Sequence, residues 1–321
     1  MASCSWDKVK KKNVKYLNQL QDSRAGFAKS GTGSRYWRSK SAYLGVIPFL
    51  LLTGLFLLYP TWNVASGAFQ DQSGKFDLSA LREVMSSPVA RNAFSNSLEI
   101  SARTSITGAI LGALLAWALV TGKSGGFFYR FSVAFSSVLA QFGGVMLTFA
   151  FLATFGFNGL VSTFAIKFAP NSFLAQSDWL YGMTGLSLLY TFFQIPLMVL
   201  VFLPTLENLK PQWREASDAL GGRTYEYWLR IGIPILTPSF LGATLLLFVN
   251  SFSAYATAAT LINMADFLTP LQISSALSNE IGGANPAEAK ALSFFMVLVV
   301  AIAMTLYALL RRRVSNWEQK R

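Results

Sequence analysis

Residues 213–238 read WREASDALGGRTYEYWLRIGIPILTP. Charged side chains and two adjacent glycines crowd the first half of this stretch, although it is set between two of the most apolar runs in the chain. Just upstream, Pro211 suits the first position of a helix, because its missing N–H would be unpaired there anyway. Trp213, Ala216 and Leu220 then recur at i, i+3 and i+7, while Glu215 and Asp218 point elsewhere. Gly221 or Gly222 can adopt the left-handed conformation that ends such a helix and turns the chain. Thr224 can cap a second helix, with Tyr225, Trp228 and Leu229 as its apolar face. The spacing predicts two short helices hinged on the glycine pair. Helices this short are marginal in water and need a surface to pack on.

The flanking runs say what that surface is. Of the 321 residues 53% are hydrophobic and only 13% charged, against about 25% charged in a typical soluble domain. Six uncharged runs stand out, at 41–70, 104–122, 131–166, 179–206, 231–265 and 291–310. Each can hold the roughly 20 apolar residues that cross a bilayer core. Barrel strands would alternate apolar and polar residues instead. The fold class is therefore all-α: an integral membrane helical bundle with spans expected near 42–62, 95–121, 127–154, 180–205, 238–262 and 288–310. A short helix is expected at 77–86, in the loop after the first span.

Charge sets the expected topology. Of the 27 basic residues, 21 fall before the first run, in the loop between runs two and three, in the stretch around 210–230 and in the tail. Five fall in the alternate loops, and Arg103 lies inside the second span. The positive-inside rule then puts both termini and the 207–237 loop in the cytoplasm. The net charge of +12 reflects topology and contact with anionic membrane lipid rather than nucleic acid. The chain divides into a basic N-terminal segment (1–41), poorly ordered or on the membrane surface, a six-span domain (42–312) and a short cytoplasmic tail (313–321). A cleaved signal peptide is not expected, since the first apolar run is too long and sits behind 40 polar residues. One cysteine, Cys4, and no histidine exclude a disulfide framework and any Cys/His metal cluster.

Ionisable groups within the spans are sparse. Beyond the first four residues of each span only Glu99 and Arg103 qualify, four residues apart and so on one helix face. They read either as a local ion pair near the headgroups or as a pair facing an internal cavity. No acid or histidine relay of the kind proton-coupled carriers use is present. This argues against the alternative class, a secondary transporter or channel, and points to an outside energy source. Neutral polar residues are more plentiful. Asn250, Ser253, Thr257 and Thr260 fall on one helix face of the fifth span, flanked by Ser251 and Tyr255. Gln141 beside Gly143-Gly144, and Gln194 beside Pro196, join them as candidates. Such residues either line a solute pathway or glue helices together. A membrane enzyme would need a Ser/His, Cys/His or paired-carboxylate constellation, and none is found.

At this point a resemblance becomes specific. The permease subunits of binding-protein-dependent, type I ABC importers carry the motif E-A-A-x3-G-x9-I-x-L-P in the loop before their penultimate span. Here Glu215-Ala216-Ser217 is followed by three residues and Gly221, then nine residues, Ile231, one residue, and Ile233-Pro234. The spacing is complete, with Ser217 in place of the second Ala and Ile233 in place of the Leu. FNGL at 157–160 and IPLMVLVFLPTLENL at 195–209 also resemble family segments. FSAYATAATL at 252–261 is similar to span five of the polyamine, iron, thiamine and phosphonate group. The likeness covers about residues 90–312.

The resemblance implies a mechanism and partners. Two permease subunits, commonly paralogues, form the pathway in the bacterial cytoplasmic (inner) membrane. Two separate ABC ATPase subunits lie beneath them and bind the ATP and Mg, so this chain would need no cofactor. An extracytoplasmic solute-binding protein delivers a small polar solute, polyamine-, phosphonate- or thiamine-like. The coupling helix would carry Glu215, Ala216 and Ser217, with Trp213 and Leu220 as apolar anchors, Gly221 as the turn, and Ile231 and Pro234 completing the motif. No phosphate loop competes with this reading: GKS at 122–124 lacks the glycine the pattern requires, because position 117 is Trp.

Overall fold

The protein is described by a computed structural model over residues 40–70, 76–122, 126–170, 172–175, 177–262, 267–278 and 285–319. Residues 1–39 of the basic segment lie outside these. The chain divides into two compact units, Met1–Pro60 and Thr61–Arg321.

The first unit contains α1 (Lys40–Thr53), with Pro48 inside it, and a π turn at Gly54–Leu58 closed by the Tyr59 N–H on the Gly54 carbonyl. Phe49, Leu50, Leu51, Phe56 and Leu57 are all exposed, as expected of a helix solvated by lipid. Helix α2 (Tyr59–Gly67) begins where this unit ends.

The second unit is built on two long helices. Helix α4 (Pro88–Thr121) starts sharply: the Ser87 hydroxyl accepts the Ala90 N–H at 3.4 Å, and Pro88 occupies the first turn. Its buried face is mostly small residues, among them Ala93, Ser97, Ser101, Thr104, Gly108, Gly112 and Ala116, with Ile100 and Leu119 the larger members. Small residues let two helix backbones approach closely where lipid offers no hydrophobic drive. The partner is α8 (Met183–Glu207). A Cβ added to Gly112 would stand 2.5 Å from the Met198 Cβ and 2.7 Å from the Ile195 carbonyl. Helix α8 is the most deeply buried span, with Leu186, Leu189, Tyr190, Gln194, Met198 and Val199 almost wholly enclosed. It packs on α4, on α5 (Phe127–Gln141) and on α11 (Ile233–Phe252). Around these lie α3 (Ser79–Ser86), α6 (Val145–Phe155), α7 (Leu160–Phe168), α12 (Tyr255–Leu261), α13 (Thr269–Ser278) and α14 (Pro286–Gln319). The remaining two, α9 (Pro211–Ala219) and α10 (Thr224–Tyr227), belong to the 213–238 stretch.

Six helical segments are long and apolar enough to cross a membrane: Val46–Gly67, Pro88–Thr121, Val145–Phe168, Met183–Glu207, Thr224–Phe252 and Pro286–Leu309. Six were expected, and the short helix near 77–86 is α3. Two expected spans differ. The continuous helix expected over 127–154 is broken between α5 and α6, where Gly144 takes φ 71°. The fifth span begins at Thr224 rather than 238 and stops at Phe252 rather than 262. A π turn at Trp228–Gly232 carries α10 directly into α11, so the two form one helical rod.

Candidate functional site

The stretch around Gly221 folds as an elbow. Helix α9 has Pro211 in its first turn. Its end is closed by two hydrogen bonds, Gly222 N–H to the Ser217 carbonyl at 2.9 Å and Gly221 N–H to the Asp218 carbonyl at 3.0 Å. This is the Schellman arrangement, which requires a left-handed residue just past the helix. Gly221 supplies it with φ 77°. Most residues with a Cβ would pay roughly 1–2 kcal/mol there, asparagine less. Of the two glycines the sequence offered for the turn, Gly221 makes it.

The second arm departs from expectation in two respects. Thr224 is not its cap: it is the first helical residue, and Arg223 precedes the helix. The Glu226 carboxylate accepts the Arg223 backbone N–H at 2.9 Å instead. The inward face is Tyr227, buried, and Trp228, half-buried, whereas Tyr225 and Leu229 are exposed. Trp228 stands edge-on to Trp117 of α4, with ring centroids 6.3 Å apart. The continuous rod explains the shift, because the buried face is set by where α11 meets the bundle.

The motif residues divide by exposure. Glu215, Ala216, Gly221 and Pro234 are exposed, and Trp213, Ser217 and Ile231 are half-buried. Trp213 lies under the Lys210 ammonium, 6.0 Å from its ring centroid. Leu220 is 89% exposed, more than any other large apolar side chain among the described residues. Just upstream, the Tyr129 hydroxyl of α5 donates to the Glu207 carboxylate at the end of α8. That bond ties the last turn before the elbow to a neighbouring helix.

The polar candidates are dispersed. The stripe of Asn250, Ser253, Thr257 and Thr260 does not lie along one helix, because α11 ends at Phe252 and α12 starts at Tyr255. The Tyr190 hydroxyl donates to the Ala254 carbonyl at 2.6 Å and so satisfies backbone left open by that break. Ser253 donates to the Val249 carbonyl at 2.8 Å and is exposed, as is Asn250. Thr257 is buried, and its carbonyl accepts the Thr148 hydroxyl at 3.5 Å. Tyr255 is exposed, with its hydroxyl 2.9 Å from that of Ser274. Gln141 is exposed at the end of α5. Gln194 is fully buried, and its amide donates to the Thr104 hydroxyl at 3.1 Å, which lies 3.0 Å from that of Ser251. This triad joins α4, α8 and α11. Pairs of this kind between membrane helices are worth about 0.6 kcal/mol each.

Sequence reasoning missed the α4–α8 contact, although Gly108 and Gly112, four residues apart, carried its signal. Glu99 and Arg103 make no ion pair with each other among the described residues, and both are exposed. Arg103 instead lines a cleft of ≈ 480 Å³ with Thr107, Trp179, Thr184 and Thr191.

The fold has known relatives. The alginate-importing bacterial ABC transporter, known from a crystal structure, contains a chain that superposes with a TM-score of 0.68 over 87% of this chain and 96% of its own length, at 14% identity. No family model matches the chain. In sequence, it is 24% identical over 222 residues to the putative ferric transport system permease protein FbpB 1 of Haemophilus influenzae. That match covers 69% of this chain and 32% of the relative, so the chain spans about a third of that protein. It is also 27% identical over 209 residues to the sulfate transport system permease protein CysT of Salmonella typhimurium, covering 64% of this chain and 69% of the relative. In sequence this chain is similar to ABC-type permeases, and it carries six helical segments long and apolar enough to cross a membrane.

Proposed function

We propose that the permease forms half of the translocation pathway of an ATP-driven importer, and that α9 and the Gly221 turn seat in a separate ATPase on the cytoplasmic side. The observation that carries this is the elbow itself. A helix of nine residues, closed at its end by backbone bonds, exposes the motif residues Glu215 and Ala216, with Leu220 89% exposed just past its end and Trp213 half-buried in its first turn. Apolar anchors on a short amphipathic helix are what a docking groove takes up, and α10 continues without interruption into the fifth span. A displacement of the docked helix would therefore be transmitted as a rigid-body movement. The ATP and Mg would be held by the ATPase. A second permease, in the form of a paralogue, and an extracytoplasmic solute-binding protein complete the assembly.

The cargo on this reading is a small polar solute. Ferric ion and sulfate are the cargoes named for the relatives, and the likeness of span five supports polyamine-, phosphonate- or thiamine-like solutes. The reading is tested in reconstituted vesicles. Glu215→Arg and Gly221→Trp are expected to insert normally, to retain basal ATP hydrolysis by the partner, and to lose most solute uptake. Wild-type uptake in both variants refutes the coupling assignment, and a tagged chain that brings down no ATPase refutes the importer.

A further inference from the structure

On the elbow side of the bundle, α4, α8 and α11 enclose a groove of ≈ 330 Å³. Phe202 and Leu206 of α8 and Leu236 of α11 are its buried floor, and Leu114 of α4 and Ile233 of α11 are its exposed rims. Ala113, a small residue in the lining, leaves the space open. No charged side chain lines the groove, and its one hydroxyl, on Thr237, donates to the Ile233 carbonyl at 2.6 Å. The rest of the lining is aliphatic or aromatic, so the groove takes hydrocarbon in preference to a polar solute.

Its dimensions match one leaflet of a bilayer. From Trp228 to Phe240, both in the lining, the helical rod rises about 18 Å, against roughly 15 Å of hydrocarbon in half a membrane. A volume of ≈ 330 Å³ over that length makes a slot for a single extended chain, not a seat for a helix about 10 Å across. Trp117 and Trp228 meet at the elbow end of the groove, as indoles do at the headgroup layer. Arg230, three residues before Ile233 on the same rod, is exposed and makes no ion pair among the described residues. Carboxylates on the adjoining turns are engaged elsewhere: Glu207 accepts from the Tyr129 hydroxyl, and Glu226 accepts the Arg223 N–H. An unpaired cation thus flanks the open end of an apolar slot.

We propose that this groove binds one acyl chain of an anionic phospholipid, whose phosphate pairs with Arg230. A guanidinium matches two oxygens of a phosphate, and basic side chains at the membrane surface draw anionic headgroups. Zwitterionic lipids carry the same phosphate beside a compensating ammonium, so net charge sets the preference. The bound chain would lie between α4 and the rod that joins the elbow to the fifth span, and so brace that rod. The inference goes beyond the importer reading and does not depend on it.

The test places the full chain in nanodiscs of phosphatidylcholine with a minority of phosphatidylglycerol. One lipid or the other carries a photoactivatable group in its acyl chain, and the adducts are mapped by peptide mass spectrometry. Phosphatidylglycerol is expected to label 110–117 and 233–240 saturably, well above the exposed Phe131 and Phe135 of α5. Phosphatidylcholine should label the groove about fivefold less, as one basic side chain at the surface predicts. Arg230→Gln is expected to abolish that preference and leave phosphatidylcholine labelling unchanged. Ala113→Phe, which fills the slot, should suppress labelling of the groove by both lipids. Should Ala113→Phe fail to fold, Arg230→Gln, at an exposed position, carries the test. Groove labelling no stronger than that of α5, equal capture of the two lipids by wild type, or a preference that survives Arg230→Gln overturns the proposal. So does a wild-type groove closed to both lipids, as a second copy of the chain seated on it would leave it. Neither ATPase nor solute takes part, so this result and the importer reading can fail independently.

Discussion

Two regions of this chain are built to opposite rules. Around α8, Gln194, Thr104 and Ser251 are enclosed and bonded across three helices, and the contact at Gly112 leaves no room for a methyl group. In the elbow, the bonds that hold α9 in shape are its own backbone, and Leu220 at its end faces outward. The bundle draws its stability from contacts within the chain. Helix α9, the first arm of the elbow, has a defined shape and no buried residue, which is the arrangement the proposed docking requires.

That contrast can be broken most directly at Gly112. Gly112→Leu forces a side chain onto Met198 and the Ile195 carbonyl, and overpacking of this kind costs about 1–3 kcal/mol or more. Its expected signature is a marked fall in the thermal unfolding midpoint of the detergent-solubilised protein; an unchanged midpoint would mean that α4 and α8 are not so closely opposed. Gly221→Val comes next. The left-handed turn makes it unfavourable by roughly 1–2 kcal/mol locally, yet the midpoint should barely move while uptake falls, because nothing in the bundle depends on that turn. Gly221→Asn, a residue that tolerates the left-handed region, should restore most uptake. Equal defects in the two variants would contradict the conformational account. Tyr190→Phe should cost about 1 kcal/mol by leaving the Ala254 carbonyl without its donor, read as a lower midpoint. The smallest effect is at Asp77, in the segment between the first two spans. Its carboxyl is held below the usual carboxylate range by the Ser79 hydroxyl at 2.5 Å and then by the Ser79 N–H at 3.0 Å. A depressed folded-state value stabilises above the ordinary pKa of about 3.9, and the benefit disappears as pH falls through the lowered value. Asp77→Asn should therefore be indistinguishable from wild type in acid and marginally less ordered at the start of α3 near neutrality, measured by amide exchange.

How much of this was legible in the sequence follows from how local each cause is. Hydropathy marks spans because the bilayer acts on each segment separately, and the elbow was readable because Pro211 and Gly221 act within a few residues of themselves. The end of the fifth span was not. Ser253 and Ala254 are ordinary helix residues, and the carbonyl freed by the break is satisfied by Tyr190, 64 residues away. The break at Gly144 did have a local sign, the Gly143-Gly144 pair, masked by apolar residues on both sides. The cap on α10 was misplaced by one residue: the helix starts at Thr224 itself, and Glu226 reaches back to accept the Arg223 N–H. Arg103 was visible as a charge, whereas the cleft around it depends on Trp179 and Thr184, contributed from distant parts of the chain.

The contact at Gly108 and Gly112 also constrains movement. With backbones that near, α4 cannot slide or roll on α8 without steric collision, so the two behave as a single spindle. On the importer reading proposed above, a stroke would be absorbed where the helices are already interrupted, at the glycine pair before α6 and at the gap between α11 and α12.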